Sequence, residues 1–121
     1  MTLLVGAEHA VCALTDLSAG RGVAALVDGH AIAVFLLPDG TLHAVDNVDP
    51  CSGAGVLSRG VVGEADGVST VASPMFKQRF DLRTGACLDA DVTIAVHGIR
   101  CVDGIVRVQP TGPRRPGIGT A

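Results

Sequence analysis

The chain has no tryptophan and no tyrosine, and aromatic residues make up only 2% of its 121 positions. Binding of single-stranded nucleic acid by stacking needs aromatic platforms, so this absence argues against that class. A basic excess is also missing. Nine Lys and Arg face twelve Asp and Glu, a formal net charge of -3, which leaves no electrostatic footprint for a phosphate backbone. No apolar run approaches the roughly 20 residues that span a bilayer. The segment from Met1 to Ala10 lacks a basic stretch and contains Glu8 and His9, which argues against a secretory signal. No Cys-x-x-Cys pair occurs among Cys12, Cys51, Cys87 and Cys101. They read as free thiols, with Cys12, Cys87 and Cys101 expected in the core because they fall in or beside apolar runs. His9, His30, His43 and His97 are scattered without metal-ligand spacing and read as surface or strand side chains.

Hydrophobic residues are plentiful at 48%, enough for one packed domain. With so few aromatics, the core is expected to be Val, Leu, Ile and Ala. Asp28-Gly29, Asp39-Gly40, Asp66-Gly67 and Asp103-Gly104 are Asp-Gly pairs, the preferred chemistry of tight hairpin turns. Short apolar runs lie between them. Strands are expected at Val23–Val27, His30–Leu37, Thr41–Asp46, Val68–Ala72 and Gln78–Leu82. Three more are expected at Val92–Val96, Ile99–Val102 and Ile105–Gln109. This pattern indicates an all-β antiparallel sandwich or barrel. Helix evidence is confined to one possible turn within Leu14–Gly22, capped by Thr15 or Asp16. No internal repeat stands out. The segment 110–121 holds three Pro, three Gly and the Arg114-Arg115 pair, and is expected to be a flexible tail after a domain of residues 1–109.

Two loops carry the functional signal. The first is Asp49-Pro50-Cys51-Ser52-Gly53-Ala54, and the second runs from Ser73-Pro74-Met75-Phe76-Lys77-Gln78 through Phe80-Asp81-Leu82-Arg83-Thr84-Gly85. Their frame resembles the paired loops of Rieske domains, Cys-Pro-His-x-Gly and Cys-Pro-x-His-Gly-x-x-Phe-Asp-Leu-x-Thr-Gly. A Rieske [2Fe–2S] centre takes two thiolates on one iron and two imidazoles on the other. On this chain the thiolate positions are Asp49 and Ser73, and the imidazole positions are Cys51 and Phe76. Phe76 ligates nothing, and Asp49 and Ser73 are hard oxygen donors where soft sulfur is wanted. No cluster is therefore expected. The loop-shaping residues Pro50, Gly53, Pro74, Phe80, Asp81, Thr84 and Gly85 all remain.

Within that fold the chain resembles the small subunit of assimilatory NAD(P)H-dependent nitrite reductase, a ligand-free branch. The resemblance rests on Asp46-Asn47-x-Asp49-Pro50-x-Ser52-Gly53-Ala54, Val56-Leu57-Ser58-Arg59-Gly60, Ser73-Pro74-Met75-Phe76-Lys77-Gln78-x-Phe80 and Thr84-Gly85-x-Cys87-Leu88. It extends from about Cys12 to Val108. One departure is Cys51, where the family more often has an aromatic. The resemblance implies a Rieske-like fold with a small lobe at 47–88 carrying the loops, and a cytoplasmic accessory subunit with no catalytic residue of its own. NAD(P)H, FAD, sirohaem and a 4Fe-4S cluster are expected on the large subunit, which reduces nitrite to ammonia. Asp49 and Ser73 are expected to hydrogen-bond the loops together in place of the metal. Arg59, Lys77, Arg79 and Arg83 are candidate docking residues. The alternatives are a Rieske-type ferredoxin, or a stand-alone binding or regulatory module on the same scaffold. Each discriminates experimentally: a ferredoxin is coloured, and a stand-alone module has no reductase partner. Membrane and nucleic-acid partners are not expected.

Overall fold

A computed structural model describes residues 7–111 of the chain. The described residues form nine strands: β1 (His9–Ala13), β2 (Gly22–Val27), β3 (His30–Leu36), β4 (Leu42–Asp46), β5 (Val61–Ala65), β6 (Val68–Ala72), β7 (Arg79–Asp81), β8 (Val96–Val102) and β9 (Ile105–Gln109). Single 3₁₀ turns lie at Leu14–Asp16 and Leu57–Arg59. Every strand pairing is antiparallel. A six-stranded sheet runs in the order β1-β9-β8-β4-β3-β2, and a three-stranded sheet in the order β5-β6-β7. The edge strands β1 and β2 face each other across a cleft of about 420 Å³, so the larger sheet curls into an incompletely closed barrel. The fold is the expected all-β antiparallel one.

Three of the Asp-Gly pairs make two-residue hairpins with both residues at positive φ: 49° and 79° at Asp28-Gly29, 51° and 81° at Asp66-Gly67, 52° and 78° at Asp103-Gly104. That is the backbone a type I′ turn requires, and Asp and Gly tolerate it. Asp39-Gly40 differs. Only Gly40 is at positive φ, and its N–H donates to the Leu37 carbonyl at 2.9 Å. Pro38 fixes the start of this longer turn, and the Asp39 carboxylate accepts from both the N–H and the hydroxyl of Thr41.

Strand β3 organises the core. It is the central apolar run, and both of its faces are covered. Ile32 and Val34 point into the barrel with Leu17, Val27, Ala44, Val106 and Val108. Ala33 and Phe35 point the other way, against Val45, Leu57, Val71, Phe80 and Leu82, and this second cluster joins the small sheet to the large one. The period-2 alternation of strand side chains thus makes one strand serve two cores. The largest core side chains are Phe35 and Phe80, both wholly buried, rather than the aliphatics alone. Two of the chain's three phenylalanines are spent there, and the third, Phe76, is 62% exposed.

Other expectations are corrected. Strands β1 and β5 had no clear signal, because β1 has no turn motif before it and β5 is largely exposed. Val92–Ala95 is not a strand. Its backbone groups serve a neighbouring loop: Cys87 N–H donates to the Val92 carbonyl and Ile94 N–H to the Gly85 carbonyl. Ile99–Val102 is the later part of the longer β8. Cys101, near the end of β8, is exposed and not in the core, while Cys12 and Cys87 are half-buried and all four cysteines are free. His30 and His97 lie on strands β3 and β8, the strand reading of the two given, and are buried, with ring centroids 5.9 Å apart in an edge-to-face arrangement. Pro110 is buried and Thr111 hydrogen-bonds His97 and Val96, so these two residues, assigned on sequence to the tail, pack with the domain. The remainder of that tail, including Arg114-Arg115, lies outside the described residues.

Candidate functional site: two loops closed by a buried carboxylate

The first loop leaves the end of β4 at Asn47, which is buried and pins both ends of it. Asn47 Nδ2 donates to the Gly55 carbonyl at 3.2 Å, and its Oδ1 accepts from Ser58 N–H at 2.7 Å. The second loop joins β6 to β7. The two loops share one backbone pattern. Asp49 N–H donates to the Ala54 carbonyl while its own carbonyl accepts from Gly53, and Ser73 N–H donates to the Gln78 carbonyl while its own accepts from Lys77. A third loop at Asp81 repeats it, with Asp81 N–H to the Ala86 carbonyl and Gly85 N–H to the Asp81 carbonyl. In each, the first side chain accepts from the N–H two residues on: Asp49 from Cys51, Ser73 from Met75, Asp81 from Arg83. Such turns are why Asp and Ser are favoured at these positions. The fifth position has positive φ in all three, 76° at Gly53, 65° at Lys77 and 80° at Gly85. Lys77 is thus a lysine in a conformation its two counterparts reach with glycine.

The loops lie side by side, joined at their bases by Asp49. This carboxylate has no solvent exposure. Its Oδ2 accepts from the Ser73 hydroxyl at 2.6 Å, and its Oδ1 accepts from Gln78 Nε2 and Cys51 N–H, each at 2.8 Å. The expected Asp49–Ser73 bond is therefore present, and Gln78 is an unforeseen third member. The signal for it was its place in the Lys77-Gln78 pair. All three donors are neutral. Gln78 Oε1 is buried without a hydrogen-bond partner among the described residues.

The other two vestigial positions, Cys51 and Phe76, are exposed. Phe76 and the adjacent Met75, 49% exposed, form an apolar tip on the second loop, and Leu88 is 42% exposed nearby, its N–H donating to the Arg79 carbonyl. Among the candidate docking cations, Arg79 is held by Asp89 through two side-chain bonds of 2.8 and 3.0 Å. The guanidinium and the Arg79 N–H together hold the Asp89 carboxyl down at about 2. Arg83 lies 3.4 Å from Asp81, whose carboxyl is lowered by hydrogen bonds from the Arg83 N–H and side chain against the opposing effect of burial. Lys77 has no acidic partner among the described residues. Arg59 lines a different place, a cleft shared with Arg21.

A second buried carboxylate, Asp46, sits at the end of β4. It accepts from His97 Nε2 at 2.9 Å and from Ala95 N–H at 3.2 Å. Thr111 N–H reaches His97 Nδ1 at 2.9 Å. A backbone N–H can only donate, so Nδ1 is the acceptor and the ring proton lies on Nε2, facing Asp46.

Residues 9–109 match the family described as the Rieske-like [2Fe-2S] domain. With its two-loop lobe, the chain belongs to that class. Its donor set does not fit the cluster. The two positions that would hold thiolates are oxygens bonded to each other at 2.6 Å, which leaves no space for iron between them. The positions that would hold imidazoles are a phenylalanine and a cysteine. Among the described residues, no three His, Cys, Asp or Glu side chains converge to hold a metal ion.

The nitrite reductase (NADH) small subunit of Salmonella typhimurium is 38% identical over 101 residues, 82% of this chain and 94% of that protein. A crystal structure assigned as the NADH-dependent nitrite reductase small subunit of Mycobacterium tuberculosis superposes with a TM-score of 0.84 at 44% identity, over 88% of this chain and 97% of that one. The chain belongs to the nitrite reductase small-subunit family. A further relative is the nitrite reductase [NAD(P)H] large subunit of Klebsiella oxytoca, 41% identical over 81 residues that are 67% of this chain but only 8% of that one.

Proposed function

We propose that this chain is a non-catalytic accessory subunit that works by docking on a nitrite reductase large subunit in the cytoplasm. The observation that carries the reading is the Asp49 closure. The place where a Rieske domain would hold its electron-carrying centre is filled by a carboxylate bonded to a hydroxyl and an amide. The scaffold is kept without the means to carry electrons, and contact is the role left to it. The nicotinamide, FAD, 4Fe-4S and sirohaem chemistry that takes nitrite to ammonia then belongs to the large subunit.

The loop tip is the docking element in this reading. Met75 and Phe76 offer the apolar anchor, and burying an exposed phenylalanine contributes roughly 1.5–3 kcal/mol. Lys77 and the Arg79 and Arg83 pairs supply a polar rim. The test is nitrite-dependent NAD(P)H oxidation by the cognate large subunit, with and without this chain, alongside co-elution of the two. A marked gain in rate with co-elution is expected. Phe76→Ala is expected to weaken co-elution while leaving the melting temperature unchanged. Absence of both gain and co-elution would return the chain to the class of stand-alone binding modules.

A further inference from the structure

Arg21 and Arg59 are distant in sequence but share one cleft of about 680 Å³ between the start of β2 and the 3₁₀ turn before β5. A close backbone approach brings them together. A Cβ at Gly22 would collide with the Ser58 carbonyl oxygen and the Phe35 ring, so only glycine lets the turn pack so tightly on β2. Arg21 precedes Gly22 and Arg59 follows Ser58, and the contact therefore delivers both side chains to the same opening.

The cleft is unbalanced in charge. Arg79, Arg83 and Arg100 each have a carboxylate within 4 Å, but neither Arg21 nor Arg59 has one among the described residues. The acid lining the cleft is Asp16, whose Oδ2 accepts from Ala13 N–H at 3.1 Å. Two guanidinium groups against one carboxylate leave one excess positive charge, in a chain whose net charge is -3. Ser18 and Ser58 contribute hydroxyls at the lining. A guanidinium fork is matched to the two oxygens of a carboxylate.

We propose that this cleft is a second docking point, a socket for an aspartate or glutamate side chain of the reductase large subunit. The proposal rests on the accessory-subunit reading and adds to it the place and charge of a contact. The apolar tip is too small to serve alone. A stable interface buries roughly 800 Å² per partner, and one aromatic side chain supplies roughly 150–250 Å². A polypeptide is favoured over a free oxyanion because, in the Klebsiella oxytoca relative, a domain of this kind lies within the large-subunit chain itself.

The experiment titrates this chain against the cognate large subunit at low and high salt. The proteins compared are the wild type, the Arg21→Gln/Arg59→Gln pair and the Arg21→Lys/Arg59→Lys pair. The glutamine pair is expected to weaken binding roughly tenfold to a hundredfold and to flatten the salt dependence. Its melting temperature should match the wild type, because neither arginine has an acidic partner among the described residues. The lysine pair keeps the charge without the fork, so it should retain the salt dependence at lower affinity. Wild-type binding with an unchanged glutamine pair overturns the socket and leaves the accessory reading standing. No wild-type binding overturns both. Saturable binding of inorganic pyrophosphate to the isolated chain, lost in the glutamine pair while large-subunit affinity is untouched, assigns the cleft to a free oxyanion and overturns the proposal.

Discussion

Asp46 and Asp49 are both buried, and three positions separate them, yet they hold different parts of the molecule. Asp46 belongs to the large sheet. It joins β4 to the approach to β8, through Ala95 and His97, in a region also tied by backbone bonds. Asp49 belongs to the loops, and its side chain joins segments with no ladder between them. The donors around the two differ as well. At Asp46, Ala95 N–H and the His97 Nε2 proton point in fixed directions, the latter because Thr111 occupies Nδ1. At Asp49, one donor is a serine hydroxyl, which can rotate and accept instead. The sheet would keep much of its shape without its carboxylate, whereas the loop pair depends on its own. A polar staple there does the joining that a metal does in a cluster-bearing domain.

The largest expected effect is at the staple. Asp49→Ala leaves the Ser73 hydroxyl, the Gln78 amide and Cys51 N–H without their acceptor, and each buried orphan costs roughly 1–3 kcal/mol. Removing a buried carboxylate recovers part of its desolvation cost, so a net loss of about 3 kcal/mol is expected from urea unfolding. Asp49→Asn should lose only about 1 kcal/mol, because Ser73 can reverse its bond and accept from the new amide. An Asn variant as unstable as the Ala variant would show that the charge, not the geometry, holds the loops.

The sheet carboxylate sharpens the contrast. Asp46→Ala orphans His97 Nε2–H and Ala95 N–H, for an expected loss of about 2 kcal/mol. Here Asn is expected to rescue little, since an amide NH₂ must face one of two fixed donors. The ratio between Asn and Ala costs therefore separates the two sites more clearly than either cost alone. Equal rescue at both positions would break the comparison.

The difference also explains what could be read from the chain alone. The Asp-Gly hairpins were legible because type I′ geometry is demanding and few residues meet it. The core strand β3 was legible as a continuous apolar run, though its division between two cores was not. Val92–Ala95 misled because alternation reports side-chain burial and says nothing of which backbone partner is near. At the site, Asp49, Ser73, Cys51 and Phe76 stand out through the resemblance of the two loops to the Rieske pattern, and Gln78 does not, since one sequence does not show which side chain turns inward. The loop repeat was present but faint. Asp49-Pro50-Cys51-Ser52-Gly53-Ala54 and Asp81-Leu82-Arg83-Thr84-Gly85-Ala86 share Asp, then Ser or Thr, then Gly-Ala. The second loop keeps the backbone pattern while replacing most of those residues, which hides the third copy.

That substituted copy yields the smallest expected effect. Lys77 sits at φ 65°, where its counterparts are Gly53 and Gly85. A non-glycine residue in this region carries strain of about 1–2 kcal/mol, while glycine adds about 0.4–1 kcal/mol of unfolded-state entropy. Lys77→Gly should therefore raise stability slightly, by less than about 1 kcal/mol, as a small rise in the urea midpoint. The strained lysine lies next to exposed Phe76, at the end of the loop pair that docking would use. Strain kept at such a place is accounted for when its side chain has work to do. The same variant should then bind the large subunit more weakly despite being more stable. A Lys77→Gly protein that gains stability and loses no affinity would leave Met75 and Phe76 as the contact made by this loop tip, and would leave the strained lysine as a local accident of a loop whose shape is set by Asp49.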